Sequence, residues 1–107
     1  MQLLVVRYAR ERGQEDAEQA SGNLAAAPMI AELEGLAWKV WTYNDAEGVA
    51  GGVYLLDTAE HAAAASSWIA SALAQETAVS NVRIEGYHVD EALSVITRAP
   101  LRMAQTA

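Results

Sequence analysis

Gly35-Leu-Ala-Trp-Lys-Val-Trp-Thr-Tyr-Asn44, then Asp45-Ala-Glu-Gly48, then Val49-Ala-Gly-Gly-Val-Tyr-Leu-Leu56 is the stretch whose reading decides the fold. β-Branched and aromatic residues on both sides of a polar break favour a pleated, half-buried surface. Asp45, Glu47 and Gly48 supply turn chemistry between the two runs, so the stretch reads as a β-hairpin. Alternation puts Leu36, Trp38, Val40 and Thr42 on one face of the first strand and Ala37, Lys39, Trp41 and Tyr43 on the other. Both faces carry bulk. A chain of 107 residues cannot lay several layers on each side of a sheet. One face is therefore expected to meet the chain's own helices, and the other a second copy of the protein. Trp38 is assigned to the helix side and Trp41 to the subunit interface.

Toward the N-terminus, Gln2 to Ala9 alternates as a strand. A charged loop from Arg10 to Glu15 follows. Asp16 is placed to cap a helix, with acidic Glu18 in its first turn. That helix is expected to run to about Glu34, weakened at Ser21-Gly22-Asn23 and kinked or restarted at Pro28. Met29, Ile30 and Leu33 form its buried stripe, and Gly35 ends it. Toward the C-terminus, Asp57 and Thr58 offer caps for an Ala-rich helix from Ala59 to about Gln75. Ala62, Ala65, Ile69, Ala72 and Leu73 face inward. Ser80-Asn81 reads as a turn, Val82 to Val89 as a fourth strand, and Asp90-Glu91 as the cap of a short helical turn.

The order β-α-β-β-α-β is the α+β, ferredoxin-like split pattern. Right-handed crossovers put two helices on one face of a four-stranded antiparallel sheet. The bare face carries large apolar residues, too great a patch for a soluble monomer. Two such faces packed together give a symmetric homodimer, a dimeric α/β barrel.

Residues 1–107 are expected to form one domain. It buries roughly two thirds of its unfolded surface. With no Phe and abundant Ala, the core leans on a few bulky anchors. The net charge of −7 argues against nucleic acid, whose binding neutralises phosphates, and against an anionic membrane surface. The absence of Cys excludes disulfides, thiol nucleophiles and Cys-ligated metal. No run approaches the roughly 18 apolar residues of a membrane span. A soluble cytoplasmic protein is the expectation.

Several residue types could carry chemistry, each with a plain structural reading beside it. Lys39 between two tryptophans could hold a phenolate or carboxylate, or simply snorkel to an edge. Gly51-Gly52 marks a bulge or a close approach. His61 could be a general base or a surface residue. Trp68 could wall a cavity or fill an Ala-rich core. Tyr8, Tyr54 and Tyr87 could converge as hydroxyl donors or sit as ordinary sheet residues. His61 and His88 stand alone, without ligand spacing, so no metal is expected.

Gly-Leu-Ala-Trp-Lys-Val-Trp-Thr at 35–42 and Ala-Gly-Gly-Val-Tyr-Leu-Leu-Asp-Thr at 50–58 resemble the mono-oxygenase family typified by YdhR, small dimeric α/β-barrel proteins. Ala-Pro-Met-Ile-Ala-Glu-Leu-Glu-Gly at 27–35 and the segment Val89 to Thr97 are similar to it as well. The Ala-rich second helix and the charged 10–15 loop depart from its pattern. The family is itself related to the antibiotic-biosynthesis mono-oxygenases, which oxidise polycyclic phenols to quinones with O₂ and neither metal nor flavin. The resemblance implies such an oxygenase acting without a cofactor on a small aromatic substrate. On that reading His61 or a tyrosine, Tyr54 first, takes the substrate's proton. Trp38, Tyr54, Trp68 and Tyr87 wall the site, and Lys39 or Arg83 holds the anion. An isomerase or cyclase in the same cavity, or a non-catalytic binding dimer, is the alternative. A haem-degrading enzyme of the superfold fits poorly, since Arg7 and Tyr8 stand where its Asn would be.

Overall fold

The computed structural model describes residues 1–101. Its elements are β1 (Gln2–Arg10), α1 (Ala17–Ala31), β2 (Leu36–Asn44), a 3-10 turn (Asp45–Glu47), β3 (Val49–Leu56), α2 (Ala59–Ala74), β4 (Val79–His88) and α3 (Glu91–Ile96). Each α-helix starts on a side chain that accepts an otherwise orphaned backbone N–H. Asp16 accepts from Gln19 at 2.8 Å, Thr58 from His61 at 3.1 Å and Asp90 from Leu93 at 3.0 Å. Pro28 does not restart α1, which continues to Ala31. The carbonyl its missing N–H would engage belongs to Leu24, a strongly exposed residue. The helix ends within a turn of it, so little ladder is lost.

The strands lie in the order β2-β3-β1-β4, all neighbours antiparallel. This is the ferredoxin-like fold the element order predicts. Leu4, Val6, Tyr54 and Leu56 of the sheet pack with Ile30 of α1 and Ala62, Ala65 and Ile69 of α2 in one buried cluster. Both long helices therefore cover one face. Ser94 of α3 and the segment Ala99 to Leu101 lie against one end of the other face. There Trp38 Nε1 donates to the Pro100 carbonyl at 2.7 Å, and Leu55 is fully buried.

Two irregularities set which side chains meet. Leu36 pairs with Leu56, but Trp38 pairs with Leu55 and Lys39 with Tyr54, so Ala37 is an extra residue in β2. Such a bulge reverses the alternation beyond it. Leu36, Lys39, Trp41 and Tyr43 consequently share the helix side, while Trp38, Val40 and Thr42 share the opposite face. The two tryptophans thus occupy the reverse of the faces that plain alternation assigns. The second bulge lies in β4. Arg7 pairs with Arg83 and Ala9 with Ser80, and Asn81 adopts a left-handed φ of 53°, which Asn tolerates better than most residues. Ser80-Asn81 therefore lies inside a strand and is not a turn. Among the described residues no helix is long and apolar enough to cross a membrane.

Candidate functional site

Between the sheet and the two long helices lies a cavity of about 300 Å³, at the lower end of small-molecule sites. It exists because side chains along α1 are small where they face the sheet. Gly22 and Ala26 of α1 line it, and Ile30 is the one buried residue of that helix. Lys39, Trp41 and Tyr54 of β2 and β3 form the floor with Val6 and Tyr8 of β1. Trp68 and Ile69 of α2 close the far wall. The mouth is polar, with Arg12 hydrogen-bonded to Glu18, and Glu76 nearby.

The loop carrying Arg12 is pinned from the hairpin turn. Asp45 accepts the Gln14 backbone N–H at 3.1 Å and lies 3.3 Å from Nη2 of Arg10. Arg10 is buried beneath that loop, and its Nε has no hydrogen-bond partner among the described residues.

Lys39 is the sole lysine of the chain. Its Nζ lies 3.3 Å from the centre of the Trp41 ring and 4.8 Å from that of Tyr54, where the aromatic faces attract the cation. Burial works against the charge and lowers its pKa to about 8. Gly52, directly across from Trp41, makes room for the lysine stem: a Cβ there would lie 2.6 Å from Lys39 Cε. Burial raises the pKa of Tyr54, and also that of Tyr8, where Arg10 partly opposes it and Glu76 reinforces it. Both phenols are therefore protonated donors at neutral pH. The cavity combines apolar walls, two hydroxyl donors and one amine that titrates within reach of physiological pH.

A family model described as "Putative mono-oxygenase ydhR" matches residues 3–100. The chain belongs to the YdhR-type mono-oxygenase family. No curated protein matches it. In this YdhR-type chain the residues singled out from sequence divide into three groups. Lys39, Tyr54 and Trp68 come together in the cavity. Trp38, Arg83 and Tyr87 do not: Trp38 sits under Pro100, Tyr87 donates to Glu85 at 2.6 Å, and Arg83 pairs across strands with Arg7, all on the opposite face. His61 lies outside the cavity, at the N-terminal end of α2.

His61 Nδ1 is 2.6 Å from Asp57 Oδ1, and Nε2 is 3.6 Å from Glu34 Oε1. Gly35, at φ 78°, turns the chain so tightly here that a Cβ would strike both Asp57 and His61. The hydrogen bond to Asp57 raises the His61 pKa, and the same bond lowers that of Asp57. Protonated His61 stabilises the fold below its ordinary value of 6.5, and ionised Asp57 does so above its ordinary value of 3.8. The pair's contribution should thus be full between those values. It should be lost as pH rises through the raised His61 pKa and as pH falls through the lowered Asp57 pKa. The Tm deficit of His61→Ala should follow that window. An unchanged deficit at pH 9 would refute the pairing.

Trp41 and the mouth residues are what sequence reasoning misplaced or missed. The signal that finds Trp41 is its Gly52 partner: a glycine inside a strand, opposite a large ring, marks where a side chain folds across. Gly52→Ala is expected to displace the lysine stem, a flexible group, and to press on the Val40 carbonyl oxygen 3.0 Å from the added Cβ, so it should cost a modest Tm while lowering ligand binding at least about tenfold. Unaltered binding would mean that the stem's path across Gly52 does not matter.

Proposed function

We propose that this protein is a mono-oxygenase that binds a planar, electron-rich phenol in the helix–sheet cavity and oxidises it with O₂ to a quinone. The observation that carries the reading is Lys39, a lone amine on an aromatic floor inside the helix–sheet cavity. Membership of the YdhR-type family supports the reaction class. The space suits roughly two or three fused rings.

In the proposed step, neutral Lys39 takes a proton from the bound phenol or its activated methylene. The ammonium so formed holds the resulting anion, and Tyr54 and Tyr8 donate to developing oxygen charge. The electron-rich carbon then reduces O₂ and bonds to one of its oxygens. Loss of water leaves the carbonyl, so R₂CH₂ + O₂ gives R₂C=O + H₂O. Trp41 and Trp68 exclude water around the anion. Lys39 replaces His61 as base in this scheme, because His61 stands outside the cavity.

Oxygen uptake over a panel of polycyclic phenols tests the proposal. One O₂ should be consumed per quinone, with one atom of ¹⁸O₂ in the product. No uptake above the enzyme-free rate, or turnover that persists without O₂, would sink it.

The face away from α1 and α2 is assigned to a homodimer. Leu3, Val5 and Val53 lie on it beside exposed Val40, an apolar strip that a second copy would cover. Light scattering should give twice the 11.4 kDa chain mass, and Val5→Glu should halve it. A monomer at tens of micromolar would exclude the dimer.

A further inference from the structure

The cavity lysine has chemistry that the oxygenase reading does not use. A primary amine condenses with a carbonyl compound only while it is unprotonated, unpaired and within reach of a bound partner. Most surface lysines fail the first condition and have no binding site for the second reactant.

Lys39 meets each requirement. It lines a cavity sized for a small aromatic molecule. It rests on the faces of Trp41 and Tyr54, and among the described residues no carboxylate pairs with it to hold it as the ammonium. Gly52 fixes its path across the sheet. Tyr54 and Tyr8, both kept protonated by burial, border the same space. A phenol O–H bordering that space can protonate the departing oxygen of a carbinolamine.

We propose that Lys39 is a covalent capture site for aromatic aldehydes and ketones, forming an imine with a carbonyl compound bound between the sheet and the two long helices. The balance is R–NH₂ + O=CR′₂ → R–N=CR′₂ + H₂O. The nitrogen lone pair attacks the carbonyl carbon, both amine hydrogens leave with the carbonyl oxygen as water, and no oxidant or reductant is consumed. O₂ has no part in the step, so the proposal stands or falls apart from the mono-oxygenase reading. Burial, which lowers the lysine's pKa to about 8, leaves a sizeable neutral fraction at physiological pH.

The test uses the full chain, without O₂, with 2-hydroxy-1-naphthaldehyde as probe and sodium cyanoborohydride to reduce any imine to a stable amine. Mass spectrometry should find one adduct on the peptide containing Lys39. Its rate should saturate with aldehyde concentration and rise with pH through about 8. At pH 7.5 it should exceed that of N-acetyl-lysine amide by on the order of a hundredfold, following the difference in neutral amine. Lys39→Arg should lose that adduct and keep only slow labelling of the α-amine. Labelling of Lys39 that is linear in aldehyde and no faster than the free amino acid would overturn the proposal, as would failure to label it at all. Because the decisive reading is on the unaltered protein, a poorly folded variant cannot obscure it.

Discussion

Lys39→Met should reduce kcat/KM for phenol oxidation by about two to four orders of magnitude, the usual cost of removing a positioned general base. It should also make the protein more stable. In the folded state the lysine's pKa is depressed from 10.5 to about 8, so at neutral pH folding proceeds against a bound proton. The full shift would be worth over 3 kcal/mol; solvent screening at this partly exposed group and the attraction of the rings reduce that to on the order of 1–2 kcal/mol. The unfolded chain binds more protons between those pKa values, so wild-type stability rises there. The Tm advantage of Lys39→Met should therefore shrink as pH climbs from 8 to 10.5. Lys39→Arg separates the two roles of the amine. An arginine holds an anion but does not act as a base, so KM should stay within a few-fold while kcat collapses. Wild-type activity should rise with pH to a plateau above about 8. Activity that instead falls above that pH would make Lys39 only an anion holder.

Gly51→Ala should be the most damaging small substitution in the sheet. Gly51 faces Arg7 of β1, and a Cβ built on it would lie 1.8 Å from the Val6 carbonyl oxygen and 2.7 Å from its carbon. Those are backbone atoms of the neighbouring strand, which cannot swing aside as a side chain does. The two strands would have to part where β1 and β3 are both paired. A loss of at least about 3 kcal/mol is expected, beyond ordinary overpacking. For a domain of this size that is a Tm drop on the order of 12 °C or more. A drop as small as that of Gly52→Ala would show that the strands separate easily there.

Much of the fold was legible because local chemistry and long-range order agree. Asp16, Thr58 and Asp90 are placed by residue type and cap the three helices. Of the inward stripe that spacing gives α2, Ala62, Ala65 and Ile69 are buried and Leu73 is half-buried, while Ala72 near the helix end is exposed. The site was legible only in part. Lys39, Tyr54 and Trp68 do converge. Trp38 is put on the helix side by plain alternation from Leu36, which the Ala37 bulge breaks, whereas residue type alone does not fix which face Arg83 and Tyr87 take. Bulges have no residue signature of their own here: Ala37 is an ordinary strand residue, and Asn81 looks like turn chemistry although it is paired within β4. His61 is singled out for its ordinary pKa; its partner Asp57 stands only four residues upstream, but Glu34 comes from the connection between α1 and β2, whose position only the folded chain reveals.

The extra residue at Ala37 behaves as a change of phase in a two-beat pattern. It does not itself line the cavity, yet it decides that a lysine and a tryptophan turn inward and another tryptophan outward. Without it, the same letters Trp-Lys-Val-Trp would send the amine to the outer surface and bring Trp38 indoors. Gain or loss of one small residue in this hairpin can therefore exchange a binding wall for an external surface while every side chain involved stays the same. Alignments within this family that slip by one position at the start of β2 would equate residues on opposite sides of the sheet.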